Sequence, residues 1–303
     1  MTQPRMILPG ATYLVTRRTA QRQFLLRPSH VVNENFAYCL GYAANKYDVA
    51  IHAAVVMSNH WHAVVTDNRG HLPEFMATVD RLVANAINRM LDRSENVWSS
   101  RHYSCVQLLT TEDILEKILY VLLNPVSAGL VAKGALWPGF RTSPKACTNG
   151  PMSYRRPSVY FRTGGHMPDA VPLTVTAPPG YEEFTNQDFA KMLEDEIRGE
   201  ERARVALVRM KRQKFLGRQA VLRQSPWAFP YKEEERSSIN PRLACRDRKK
   251  RKVAEERIRS FLIAYGDAWR AFRARDPGVE FPYGTYWMVR RAGVQCVSPW
   301  NTG

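Results

Sequence analysis

Several features that would place this chain at once are missing from it. No stretch of about 18 apolar residues occurs in the 303, so no membrane-spanning helix is expected. The opening MTQPRMILPG holds no long apolar run after a basic start, so no secretory signal is expected. Cysteine is sparse: Cys39, Cys105, Cys147, Cys245 and Cys296 are widely scattered, and no pair has CxxC spacing. That excludes a zinc knuckle or a paired redox motif and fits free thiols in a reducing cytosol. There is no GxxxxGK[ST] phosphate loop and no internal repeat. Acidic residues are also short, 28 against 44 basic ones, for a net charge of +16. Such an excess points to a polyanionic partner, most often nucleic acid, unless it merely keeps the surface soluble.

What remains is the composition of a folded protein, 45% apolar with 7 tryptophans. ATYLVTRRT (11–19) reads as a strand and HVVNENFAYCLGYAANKYD (30–48) as a helix. VAIHAAVVM (49–57) reads as a central strand, returning through Ser58-Asn59 into an antiparallel neighbour, HWHAVVTD (60–67). An amphipathic helix over 72–93, a strand over 103–110 and a helix over 110–124 follow, the last limited by Pro125. This order predicts an α+β fold: a ferredoxin-like split βαβ domain, one antiparallel sheet with helices on one face, plus an extra helix. Three parts are expected: residues 1–144 as the catalytic-type domain, 145–185 as a Pro/Gly-rich linker or wrapping segment, and 186–303 as a basic, mainly helical extension. In the extension, Val253, Ile258, Phe261, Leu262, Tyr265, Trp269 and Phe272 mark an apolar stripe of a helix over 246–275, and 281–296 has strand-like content. Three quarters of the net charge lies beyond residue 144.

VVMSNHWHAVV (55–65) carries the chemistry. Alternate positions on a strand share a face, so His60 and His62 project together and Trp61 packs opposite. Two imidazoles beside a turn are two-thirds of a metal site; equally, they are two histidines hydrogen-bonded to backbone. Tyr120 and Asn124 lie four residues apart on one helical face. If that helix crosses near the histidine strand, it delivers a hydroxyl nucleophile and an oxygen ligand, a set suited to Mg²⁺ or Mn²⁺. Without that juxtaposition Tyr120 is a core aromatic and Asn124 a helix terminator. Lys117 precedes Tyr120 by three and is either an aid to the phenol or a solvated charge. Tyr103 is the rival nucleophile, and His52 reads as a core histidine.

MSNHWH (57–62) resembles the HUH metal motif, and LYVLLNPVSAGLV (119–131) resembles the tyrosine helix and NPVRAGLV segment of REP-associated tyrosine transposases, in the single-tyrosine HUH, insertion-sequence-200-like superfamily. VANAINRM (83–90), VWSSRHYSC (97–105) and LPGATYLVTRRT (8–19) resemble the same family, so the likeness spans roughly 7–133. It departs at Ser127, where the family commonly has arginine. The resemblance implies a metal held by His60, His62 and Asn124, with Tyr120 cutting single-stranded DNA near palindromic hairpin repeats through a 5′-phosphotyrosine. Arg17, Arg18, Arg81, Arg89, Arg101 and Lys117 are the candidate DNA contacts, and Trp98 and Tyr103 the candidate base-stacking residues, unless Trp98 packs in the core. A cytoplasmic, nucleoid-associated protein, monomer rather than homodimer, is expected; the alternative is a domesticated binder of repeat hairpins that does not cut.

Overall fold

The computed structural model describes residues 3–231 and 241–297. Strand β1 (Ala11–Arg18) leads to helix α1 (His30–Tyr47), the hairpin β2 (Val49–Met57) and β3 (His60–Asp67), helix α2 (Leu72–Leu91), strand β4 (Ser104–Leu108) and helix α3 (Thr111–Ser127). The strands lie in the order β2-β3-β1-β4, all antiparallel. The α+β fold with a mainly antiparallel sheet is therefore as the alternation of patterns predicted.

Local chemistry fixes the element ends. Ser29 caps α1 by accepting the Val32 amide, and Thr110 caps α3 by accepting that of Asp113. The buried Asp67 carboxylate, at the end of β3, accepts the amides of His71 and Leu72, each at 2.8 Å, and so aims α2. Pro125 lies inside α3, which runs on to Ser127 rather than stopping at 124. A proline in the last turn removes a single backbone donor, and its φ suits the helix.

The sheet is covered on both faces. Tyr13, Val15, Trp61, Ala63 and Val65 pack under α1 and α2, with Trp61 edge-on to Phe36 at 5.4 Å. On the other face Val55 and Val64 meet Ile118 and Val121 of α3. The β2–β3 register slips at a bulge between Ile51 and Ala53, so Ile51 packs with α1 and α2 while Ala53 packs with α3.

The later chain is built onto this unit. β5 (Met152–Arg155) and β6 (Ala170–Leu173) form a pair against α1, where Gly41 makes room for the Pro172 carbonyl. The Pro/Gly-rich stretch thus carries a strand pair packed on α1. Helix α4 (Asn186–Met210) seats Phe189 and Leu193 in the α3 face of the core. Helix α5 (Arg218–Arg223) follows, then β7 (Leu243–Ala244), which adds to β4 in parallel. Helix α6 (Arg248–Arg273) buries only Phe261 and Ala268; Val253 and Phe272 of the expected stripe are exposed, so the stripe is only partly used. The tail forms β8 (Glu280–Phe281), helix α7 (Trp287–Ala292) and β9 (Gln295–Cys296), a helix where strand content was read, closed by left-handed Gly293.

Both lateral strands of the sheet have partners. Beside β4 lies β7; beside β2, the Val56 amide donates to Phe140, Thr142 to Ala54, and Thr176 to Ile51.

Candidate active site

Antiparallel pairing sets the site. In the β1–β3 register Thr16 stands across from His62 and Arg18 across from His60. Strand alternation puts all four on the α3 face, away from Trp61. The two imidazole rings lie edge to face, 4.7 Å between centroids. Nδ1 of His62 is 2.6 Å from Thr16 Oγ1, and Nδ1 of His60 is 2.7 Å from Asn59 Oδ1. A carboxamide oxygen can only accept, so His60 carries a proton on Nδ1, and Nε2 is the nitrogen that could serve as a ligand. Burial, then the neighbouring His60 and Arg18, hold His62 well below the usual histidine range, so it is neutral at physiological pH.

Helix α3 brings Tyr120 to this pair. Its hydroxyl is 3.5 Å from Nε2 of His62, and the rings meet edge to face at 5.2 Å. Tyr120 is 40% exposed, unlike the buried Ile118 and Val121 beside it. A core aromatic would be hidden; this phenol sits at the rim of a histidine pair with solvent access. Asn124 is buried one turn further along the same helix. Among the described residues no group of three or more His, Cys, Asp or Glu could hold a metal ion. A cation at the histidines would therefore need other oxygens.

The remaining candidates separate. Arg18 belongs to the site by register. Arg17 points the other way: its guanidinium pairs with Asp80 at 3.0 Å, lies 5.7 Å from the Trp98 ring and bonds the Arg101 carbonyl. Burial pushes the Asp80 carboxyl up to about 7 against the pull of Arg17. Arg17 thus serves the opposite face of the sheet, and Trp98, whose indole donates to the Asp80 carbonyl, packs there too. Arg81 and Arg89 are exposed on α2, the helix on that opposite face, and Arg101 is exposed before β4. Lys117 is held by Glu116 at 2.6 Å.

Tyr103 packs with the α1–α2 side of the core, under the Arg5 guanidinium at 4.2 Å, and burial raises its phenol above the ordinary range. Its place and its proton affinity both set it apart from the histidines. His52 is a core histidine: Nε2 is 2.7 Å from Thr66 Oγ1 and Nδ1 3.0 Å from the Thr176 carbonyl, and burial lowers its pKa to about 4.

Thr16 and Asn59 are site residues that sequence reasoning passed over. The signal for Thr16 depends on a cross-strand register that spacing alone does not give, whereas Asn59 adjoins His60 in the sequence and reads there only as a turn residue. At Ser127, the hydroxyl accepts from Arg204 of α4 at 2.8 Å, so a guanidinium from the later chain reaches the end of the tyrosine helix.

No protein-family profile matches the chain, and no curated protein does. Solved structures similar in part include the following two. One is a REP-associated tyrosine transposase bound to a REP hairpin, 18% identical, covering 58% of this chain and 99% of that one, with a TM-score of 0.41. The other is a protein from Deinococcus radiodurans R1 provisionally assigned as a transposase, 17% identical, covering 41% of this chain and 97% of that one, with a TM-score of 0.29.

Proposed function

We propose that this protein cuts and rejoins single-stranded DNA near repeat hairpins, with Tyr120 as nucleophile and a 5′-phosphotyrosine intermediate. The observation that carries the reading is the 3.5 Å approach of the half-exposed Tyr120 hydroxyl to His62, with His60 alongside. The resemblance of MSNHWH and LYVLLNPVSAGLV to the HUH transposase motifs points to the same residues.

The donors suit a divalent cation such as Mg²⁺ or Mn²⁺: two imidazoles, one with its tautomer fixed by Asn59 and the other neutral beside Thr16, plus the Asn124 amide. Such an ion, when bound, would draw charge from the scissile phosphate and ease ionisation of the phenol. The residues do the rest. The Tyr120 oxygen attacks phosphorus as its proton leaves, the P–O3′ bond breaks, and the departing oxygen takes up a proton to become a 3′-OH. Arg18 supplies positive charge at the histidine strand. The phosphotyrosine keeps the phosphodiester energy, so a second 3′-OH can attack the same phosphorus and restore the Tyr120 hydroxyl without a nucleotide triphosphate.

The test uses a labelled hairpin oligonucleotide with a single-stranded flank, the full chain and Mn²⁺. A covalent protein–DNA band on a denaturing gel is expected, lost in Tyr120→Phe and in a chelator. A band that survives Tyr120→Phe would sink the assignment. Tight hairpin binding with no band across many flanks would instead favour the non-cleaving binder.

A further inference from the structure

From Arg202 to Lys232 the chain holds nine basic residues and no acidic one. Within it, SPWAFPY (225–231) shows a pattern opposite to that of a soluble segment. Trp227, Phe229 and Tyr231 are 50%, 61% and 103% exposed, while Ala228 and Pro230 between them are half-buried. Large aromatics turned outward at every second position mark a binding surface rather than a core. The Arg93 guanidinium lies 5.8 Å from the Trp227 ring, and Arg218 and Arg223 are exposed just upstream, beside an open concavity of about 690 Å³ bordered by Leu216, Arg218, Arg223 and Gln224.

The segment is tied at both ends to the candidate active site. Upstream, the amides of Leu216 and Gly217 donate to the carbonyls of Gly129 and Leu130, just past Asn124 and the end of α3. Arg27 bonds the carbonyls of Leu222 and Gln224. Downstream, the Phe24 amide donates to Ala228. The Phe24 loop is itself held to the turn that precedes His60: Leu26 donates to Ser58, Thr19 donates to Asn59, and Asn59 donates to Arg22. Residues 216–231 thus run between the loop that follows the tyrosine helix and the turn that begins the histidine strand.

The geometry points to residues 216–231 as a platform for an unpaired DNA strand, with bases stacked on Trp227, Phe229 and Tyr231 and backbone phosphates met by Arg218 and Arg223. Flat hydrophobic faces and exposed cations together match the two parts of a single strand, a base and a phosphate; a duplex hides its base faces. The surface would bind strand without sequence preference and deliver it to Tyr120. It rests on the reading of single-stranded DNA as substrate.

The test is the affinity of the full chain carrying Tyr120→Phe, in a chelator, for a fluorescent oligo-dT of about fifteen nucleotides. Trp227→Ala and Phe229→Ala are each expected to weaken binding about five- to hundredfold, Trp227→Phe to retain most of it, and Arg223→Ala to lower the slope of log affinity on log salt by roughly 0.7. The substituted side chains are exposed, so folding should survive. Unchanged affinity in both alanine variants, or equal competition by a blunt duplex of the same length, would overturn the platform. Loss of oligo-dT binding in the variants of a chain that forms no covalent adduct would keep the platform and reject the nuclease; an adduct with variants that bind as the parent does would do the reverse.

Discussion

Thr16 stands directly across the sheet from His62, its hydroxyl 2.6 Å from the imidazole Nδ1. That bond orients the ring whose other nitrogen faces Tyr120. Thr16→Val keeps the shape of the side chain and removes the oxygen. It should raise the Mn²⁺ concentration needed for half-maximal cleavage roughly 10- to 100-fold, and Thr16→Ser should restore it. Equal Mn²⁺ dependence in all three proteins would remove Thr16 from the positioning of His62.

Tyr120→Phe deletes a hydroxyl at a half-exposed position. Its melting temperature should lie close to that of the parent, within what about 0.5 kcal/mol produces, even as the adduct disappears. Tyr103→Phe should leave the adduct in place, because Tyr103 packs with the opposite side of the core. Calorimetry and a denaturing gel on the same preparations separate the two effects.

His52 makes stability depend on pH. Its native pKa of about 4 lies below the ordinary 6.5, so in between the unfolded chain binds more protons than the native one. Its contribution is complete above 6.5 and is lost as pH falls towards 4, amounting to roughly 3 kcal/mol at the acid end. In urea titrations from pH 7 to 4.5, His52→Gln should lose less stability than the parent. A parallel fall in both chains would contradict this.

Phe189 and Leu193 belong to the late part of the chain, yet both are buried against α3, the helix that carries Tyr120. Leu193→Ala should cost about 2–5 kcal/mol by urea denaturation, as core truncations do. For the same reason a chain ended after residue 144 should expose this face and aggregate or melt early. A truncated chain with a sharp, undiminished melting transition would show that α4 is dispensable.

The sheet and its helices were legible because each element carries a readable pattern: continuous apolar β2, the apolar run of β3 after its histidines, the 3.6 repeat of α2. Parity alone placed His60 and His62 on one face and Trp61 on the other. The meeting of Tyr120 with His62 could be posed as a condition but not solved, since it depends on which face of the sheet α3 covers. Arg17 and Arg18 show the same limit from the other side. They are adjacent and chemically identical, yet one faces the histidines and the other pairs with Asp80, and only the strand's orientation separates them. The aromatic segment around Trp227 was missed because its aromatics face outward, against the rule by which apolar residues are read as core.

The flanking contacts along β2 and β4 have a further effect. A sheet whose outermost backbone groups are already taken up by the same chain, through Phe140, Thr142 and Thr176 at one border and Leu243 and Ala244 at the other, presents little template for an added strand among the described residues. Where these partners sit, a strand from a second copy would have to displace part of the same chain before it could add to the sheet.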